Sequence, residues 1–197
     1  MNSDLTIMLP MPILLPARFR CAVAAFALTL LPVVALADLP VTYKDGSRAL
    51  FSVSAPDFWT VRAGGPRELA APGEELREVA RVMAMYPVSE PRVWVGFVSP
   101  DGVRNFDQAT DYLRDIGPFL VRDAKVDSRK SLRVGGLPAR SIAGRGKRKG
   151  KAVNFTAVMI DLPNGRMAIS VVVMEAGIDP AITADVNAIF ASFRAVH

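Results

Sequence analysis

The sequence has very little of the two residue types that supply many nucleophiles and general bases, with one cysteine and one histidine among 197 residues. The cysteine, Cys21, lies in an apolar amino-terminal segment, and His197 is the last residue. A histidine at a frayed terminus is poorly placed to stay within hydrogen-bonding distance of a nucleophile. The composition therefore argues against Ser-His-Asp and Cys-His catalysis, against a disulfide bond, and against a multi-histidine or cysteine metal site.

Short motifs for phosphate, dinucleotide and zinc chemistry are also missing, since the sequence has no G-x-S-x-G, Walker A, G-x-G-x-x-G or HExxH pattern. We therefore expect no catalytic residue, no resident metal and no cofactor, and we expect the protein not to be an enzyme. A carboxylate-only enzyme, in the manner of glycosidases, is the catalytic alternative, but no paired-acid motif supports it.

The first 37 residues have the organisation of a secretory signal peptide. Arg18 and Arg20 precede a long apolar run, and the run ends in Ala35-Leu36-Ala37. A basic region, an apolar region and a small-x-small cleavage site are typical of signal peptides. We predict cleavage after Ala37 and a periplasmic or secreted product.

A membrane anchor is the alternative interpretation of this segment. The apolar run from Cys21 to Ala37 has 17 residues, which is the lower limit for a spanning helix, and Pro32 interrupts it. Cleavage explains the small-x-small ending and the anchor does not. We therefore expect no transmembrane segment after cleavage.

Cleavage would leave residues 38–197 as a single α+β domain of 160 residues, which is large enough to bury a core without disulfides. The removed segment carries two of the 24 basic and one of the 19 acidic residues, so the net charge falls from +5 to +4. Five basic residues lie in RGKRKGK, residues 145–151, so the basicity is local.

Alternating apolar and polar residues predict strands in the first half of this domain. RALFSVSAPDFWTV, residues 48–61, predicts two strands separated at Ala55-Pro56. PRVWVGFVSP, residues 91–100, predicts a short strand with Phe97 on one face and Trp94 on the other.

Three segments carry helical signals. APGEELREVARVMAMYP, residues 71–87, has apolar residues at helical spacing and acidic residues near its start. Residues 105–121 begin with a variant capping box of Asn105 and Gln108. Residues 179–196 begin with Asp179 as the N-cap. These signals predict three helices.

Residues 124–176 predict a meander of about four antiparallel strands with glycine-containing turns. RGKRKGK falls between two of these strands and is predicted to form a hairpin tip. The complete order predicts an α+β fold, an antiparallel sheet of about six to seven strands with helices packed on its faces.

Three phrases of this sequence resemble the PsbP-like fold, including the bacterial periplasmic proteins related to DcrB. They are FSVSAPDFWTV (51–61), VGGLPARSIAGR (134–145) and VVMEAGIDPAITADVNAIFASFRA (172–195). The resemblance implies an α/β/α sandwich over roughly Val41 to Val196. It also implies a non-catalytic adaptor or assembly factor, since members of this fold support photosystem assembly, nuclear import and phage adsorption. The resemblance assigns no functional residue.

Two groups of residues are candidates for binding. The candidate partner contact is the basic hairpin, with the residues Arg145, Lys147, Arg148, Lys149 and Lys151. Charge runs usually form a solvated surface, which is the simpler interpretation. The candidate ligand cleft is Trp59, Trp94 and Phe97, although aromatic residues on strands usually belong to a core.

These observations leave two function hypotheses. The first is an exported adaptor, assembly or binding protein of the bacterial envelope, whose basic hairpin contacts an envelope protein or an anionic lipid surface. The second is a periplasmic small-ligand or lipid-binding protein that uses a cleft between sheet and helices. Nucleic acid is not an expected partner, because the predicted location is extracytoplasmic and the rest of the surface is not basic.

Overall fold

The computed structural model describes residues 38–64, 67–69, 77–79, 81–163 and 165–196. The predicted signal peptide and its cleavage site lie outside the described residues. In the part of the chain that the structure describes, no helix is long and apolar enough to cross a membrane.

The described residues form twelve strands and two helices. In chain order these are β1 (Leu39–Asp45), β2 (Arg48–Ala55), β3 (Trp59–Ala63), β4 (Arg67–Leu69), β5 (Arg77–Val79), β6 (Met83–Pro87), β7 (Val93–Val98), α1 (Phe106–Leu120), β8 (Arg122–Val134), β9 (Leu137–Arg148), β10 (Lys151–Leu162), β11 (Arg166–Glu175), α2 (Pro180–Ala191) and β12 (Arg194–Ala195).

Seven of these strands form one large antiparallel sheet in the order β3-β6-β7-β11-β10-β9-β8. A small sheet has the order β1-β2-β12, and β4 pairs with β5. The predicted meander is β8 to β11, whose neighbours in sequence are also neighbours in the sheet. The α+β fold class predicted from the sequence is confirmed.

Each face of the large sheet is covered by different elements. Val158 and Val172 belong to a core with Val186 and Ile189 of α2. The adjacent residues of the same strands, including Val171, face the side on which α1 packs against β8, β10 and β11. Because successive side chains of a strand point to opposite faces, β10 and β11 supply both cores. The layers are therefore α1, the large sheet, and α2 together with the small sheet.

A stack of aromatic rings joins the small sheet to the rest of the fold. Phe51 of β2 is fully buried, and its ring centroid lies 4.8 Å from that of Tyr43 and 5.0 Å from that of Phe193. Phe97 of the large sheet contacts the same ring at 6.0 Å. One side chain thus connects both sheets and the segment that follows α2.

A partly buried arginine makes a second connection between the sheets. Arg166 of β11 forms ion pairs with Asp45 at 3.0 Å and Asp101 at 3.1 Å. Its guanidinium also donates to the backbone carbonyl of Ser99 at 3.1 Å. These contacts hold the β1–β2 turn and the loop before α1 at one end of β11.

The helix predicted over residues 71–87 is wrong wherever the structure describes that segment. Arg77–Val79 and Met83–Pro87 are strands, and β6 alternates buried and half-buried residues with Met83, Met85 and Pro87 inside. The register of β6 between β3 and β7 explains the difference, because pairing with distant strands overrides a local helical pattern.

The two other predicted helices are present with their caps, but the last one ends at Ala191 and not at residue 196, because Arg194–Ala195 pairs with β2 as a strand. The Asn105 side chain accepts a hydrogen bond from the Gln108 backbone at 2.9 Å, and the Gln108 side chain accepts one from the Arg104 backbone at 2.8 Å. The Asp179 side chain accepts from Ala181 at 2.8 Å. The helix α1 contains Pro118 and continues to Leu120.

We predict that Phe51→Ala lowers the free energy of unfolding by about 3–5 kcal/mol, because the substitution opens a cavity where both sheets meet. The control is Phe58→Ala, which removes the same ring from an exposed turn. Its cost should be below about 1 kcal/mol. Urea denaturation of both variants measures the difference, and equal costs would contradict the assigned role of Phe51.

Candidate functional site

The basic stretch contains a hairpin tip, as the sequence predicted, but it does not lie wholly between two strands, because Arg145 to Arg148 belong to β9. Strand β9 ends at Arg148, β10 begins at Lys151, and Arg148 pairs with Lys151 across the turn. The two turn residues, Lys149 and Gly150, have φ angles of 50° and 79°. Two consecutive positive φ angles suit the tight turns that match the twist of a hairpin.

Strand alternation divides the basic stretch between the two faces of the hairpin. Arg145 donates two hydrogen bonds to the Asp127 carboxylate, at 2.9 and 3.1 Å, and Lys147 pairs with Asp123 at 3.2 Å. The hydrogen bonds that Arg145 donates to the Asp127 carboxylate raise the pKa of Arg145 above its usual value. These two cations are therefore already paired with carboxylates of the neighbouring strand β8.

Arg148 lies on the face that carries α1 and covers an aromatic ring. Its guanidinium carbon is 5.2 Å from the centroid of the Trp94 ring, which is a cation–π contact. Burial lowers the pKa of Arg148 below its usual value, although a guanidinium stays protonated at physiological pH. The structure thus brings one residue of the candidate partner contact together with one residue of the candidate ligand cleft.

Around this pair lies a cleft of about 440 Å³ that we call the Trp94 cleft. Val153 and Val173 contribute apolar surface, and the aromatic and basic lining consists of Tyr86, Arg92, Trp94, Arg148, Lys149 and Lys151. Two of these cations have carboxylate partners, because Arg92 pairs with Glu90 at 2.5 Å and Lys151 with Glu175 at 3.1 Å. Lys149 has no ion pair among the described residues. The Trp94 cleft combines aromatic surface with positive charge, which suits an acidic group on a partner.

Gly96 positions the Trp94 ring and was not among the candidate residues. A Cβ atom at Gly96 would lie 2.2 Å from Cη2 of Trp94, so the indole lies across the backbone of its own strand. A glycine inside a strand often marks a close approach of another group, and that signal was available in the sequence WVG.

The structure does not bring the three candidate aromatic residues together. Trp59 is 4% exposed and Phe97 is fully buried, and both lie in the core between the large sheet and α2. Trp94 is half-buried in the cluster on the opposite face. Two of the three residues therefore pack in the core, and Trp94 alone lines a cleft with the basic hairpin.

The fold also leaves clefts between the large sheet and each helix. A groove of about 620 Å³ lies beside α1, and a cleft of about 480 Å³ lies beside α2. The sequence predicted a sheet–helix cleft as a ligand site, but none of the three candidate aromatic residues lines either of these two clefts.

Comparison with known proteins gives a fold but no close relative. No family model matches the sequence, and no curated protein matches it either. The solution structure of cyanobacterial PsbP (CyanoP) from Synechocystis sp. PCC 6803 is similar at a TM-score of 0.51 and 12% identity, covering 86% of this chain and 99% of that one. This chain therefore has a PsbP-like fold, as the sequence resemblance implied.

Two further solved structures are similar at lower TM-scores. LpqN of Mycobacterium tuberculosis, described as involved in cell envelope biogenesis, has a TM-score of 0.41 and 13% identity, covering 82% of this chain and 91% of that one. A structure from Bacteroides thetaiotaomicron VPI-5482 has a TM-score of 0.48 and 11% identity. The match covers 75% of this chain but only 45% of the Bacteroides chain.

We predict that Gly96→Ala displaces the Trp94 ring, because the new methyl group would occupy its place. Tryptophan emission should shift to the red and acrylamide quenching should increase, since Trp59 stays buried. The lost ring and cation–π contacts should lower the free energy of unfolding by about 1–2 kcal/mol.

The matched control is Gly117→Ala in α1, where a Cβ meets nothing within 4 Å. This change should leave the emission spectrum unaltered, because the added methyl group contacts no part of the Trp94 ring. An unchanged spectrum in Gly96→Ala would show that Gly96 does not position Trp94.

Proposed function

We propose that this protein, a chain with a PsbP-like fold, is a non-catalytic exported binding protein of the bacterial envelope that holds an acidic partner at the Trp94 cleft. The observation that carries the proposal is the convergence of Trp94, Arg148 and Lys149 on one cleft. Two independent candidates from the sequence, a basic hairpin and an aromatic residue, meet there.

The lining of the Trp94 cleft has the composition of a protein contact site. Tyrosine, tryptophan and arginine dominate the residues that contribute most to protein–protein binding, and Tyr86, Trp94 and Arg148 all line this cleft. Positive charge at the rim speeds the approach of an acidic partner and selects against basic ones. An acidic segment of an envelope protein fits both properties.

Each cation of the basic hairpin has a different capacity for such a contact. Lys149 at the tip is exposed and has no ion pair among the described residues, so a partner carboxylate can approach it without displacing another. Lys151 would have to break its ion pair with Glu175 to contact a partner carboxylate, so its contribution to the binding free energy is smaller. Arg145 and Lys147 are paired on the other face, which limits their role.

The non-catalytic and exported parts of the proposal are supported by the sequence. The domain that would remain after cleavage contains no cysteine and a single histidine, His197. The organisation of residues 1–37 supports export. No catalytic residue, metal or cofactor is assigned.

We predict that Arg148→Gln with Lys149→Gln weakens capture of acidic partners from an envelope extract, most strongly at low salt, where charge interactions are least screened. Quantitative mass spectrometry of the proteins captured from the extract at low and at high salt measures the loss. A decrease of about tenfold or more is expected for a partner that contacts both residues.

The matched control is Arg145→Gln with Lys147→Gln, which removes two charges from the other face of the same hairpin. It should leave the captured proteins nearly unchanged. Equal losses in the two double variants would mean that capture follows net charge, which contradicts a specific site at the Trp94 cleft. Capture by vesicles of anionic lipid alone would identify a lipid surface as the partner instead.

We also predict that protein purified from the envelope begins at Asp38, because signal peptidase would cut after Ala37. The measurement is the intact mass of the purified protein. A mass that includes residues before Asp38 would contradict cleavage at this position and favour the membrane anchor.

A further inference from the structure

The largest of the three clefts lies between α1 and the large sheet, and we call it the α1 groove. Its volume is about 620 Å³. Ile142, Phe155, Ala157 and Val171 of the central strands contribute its apolar surface. The remaining lining comes from α1 and from β8, including Leu113, Leu120 and Val126. Val126 is 43% exposed, so apolar surface continues to the opening.

Irregularity in the edge strand β8 shapes one side of this groove. Its register with β9 shifts between Arg122 and Lys125 and again between Val126 and Ser128, and Asp123 has a φ of 52°. The bulged backbone lies close against β9, since a Cβ at Gly144 would be 2.1 Å from the Lys125 carbonyl oxygen. Bulges of this kind are typical of sheet edges and of binding sites.

The opposite side of the groove has unfilled space. Gly117 of α1 lines the groove, and a Cβ atom there would meet nothing within 4 Å. Ala157 on the sheet contributes only a methyl group. The cleft is therefore an open apolar volume, of a size that commonly holds small ligands.

Three arginines lie at the groove: Arg114, Arg122 and Arg129. Arg114 pairs with Asp111 at 2.7 Å. The groove carboxylate, Asp123, pairs with Lys147 of β9. Arg129 has no ion pair within the described ranges, and it pairs with Ile142 of β9, which also lines the groove, so its positive charge is uncompensated on this face. Arg122 pairs with Lys147, five residues further along β9 and roughly 16 Å away, so it is not part of the same charged site. A guanidinium matches the geometry of a carboxylate and can hold it with two parallel hydrogen bonds.

We propose that the α1 groove binds a free fatty acid, with the acyl chain on the apolar surface and the carboxylate at Arg129. An apolar volume beside an unpaired arginine is complementary to a molecule with one chain and one acidic group. The α1 groove and the Trp94 cleft share no lining residue, so this site is independent of the proposed partner contact.

Isothermal titration calorimetry with octanoate, decanoate and dodecanoate, each below its micelle concentration, tests the apolar half of this site. Each buried methylene should tighten binding about fourfold, because its transfer from water contributes about 0.8 kcal/mol. Two methylenes should therefore tighten binding roughly 16-fold. An affinity that does not change with chain length would overturn the proposal.

Dodecanol tests the acidic half, because it keeps the chain and lacks the charge. It should bind at least about tenfold more weakly than dodecanoate, since a charge-assisted hydrogen bond is lost. Arg129→Gln should weaken the binding of dodecanoate and leave the affinity for dodecanol unchanged. The control is Lys130→Gln on the same strand, which does not line the groove and should change neither. Equal affinity for dodecanol and dodecanoate would overturn the assignment of the carboxylate.

Two variants that fill the α1 groove test whether the acyl chain of the fatty acid binds there. Ala157→Leu and Gly117→Leu both place a larger side chain in the α1 groove and should each weaken dodecanoate binding at least about tenfold. The control for the first is Thr156→Leu, the adjacent residue of β10, which lines the cleft on the opposite face beside α2.

Thermal melting shows which variants are folded before binding is compared. A folded blocking variant that keeps the parent affinity excludes the α1 groove, as does a loss confined to Thr156→Leu. The double variant Arg148→Gln with Lys149→Gln should keep dodecanoate binding, which separates this site from the proposed function.

Discussion

The organisation of this protein depends on strand alternation in a sheet that is covered on both faces. Residues Met167 to Val173 of β11 are all buried, although successive side chains point in opposite directions. Burial is possible on both sides because α1 covers one face and α2 with the small sheet covers the other. The alternation of side chains along each strand therefore determines on which face of the sheet each functional candidate lies.

Strand alternation explains why residues close together in the sequence make contacts on opposite faces of the sheet. Phe97 contacts Phe51 in the core beside α2, whereas Trp94, three residues earlier in the same strand, packs under Arg148 on the other face. In β9 the same alternation sends Arg145 to Asp127 and Arg148 to Trp94. The five cations of the basic run, which looks uniform in the sequence, are thus three cations paired with carboxylates, one cation stacked on Trp94 and one exposed lysine at the tip.

Small residues complete the face that carries α1. Gly96 accommodates the Trp94 ring, and Gly144 and Gly146 accommodate the approach of β8 and of Val121. Because these glycines and Ala157 occupy little volume, this face of the sheet has room for two separate clefts, one beside α1 and one beside the hairpin tip. The opposite face packs against α2 and joins the two sheets through the Phe51 stack, and it leaves a cleft of about 480 Å³ beside α2.

Features that depend on a few adjacent residues could be predicted from the sequence, because their causes are local. The caps at Asn105 and Asp179, the presence of a hairpin tip within residues 145–151 and the strand character of β11 belong to this group. Features that depend on distant pairing could not. Residues 83–87 have a pattern compatible with a helix, and they form a strand because they pair with β3 on one side and with β7 on the other. Tertiary structure likewise determines the partners of Arg148 and Arg145 and the presence of the α1 groove. Each of these features requires contacts between segments that lie far apart in the chain.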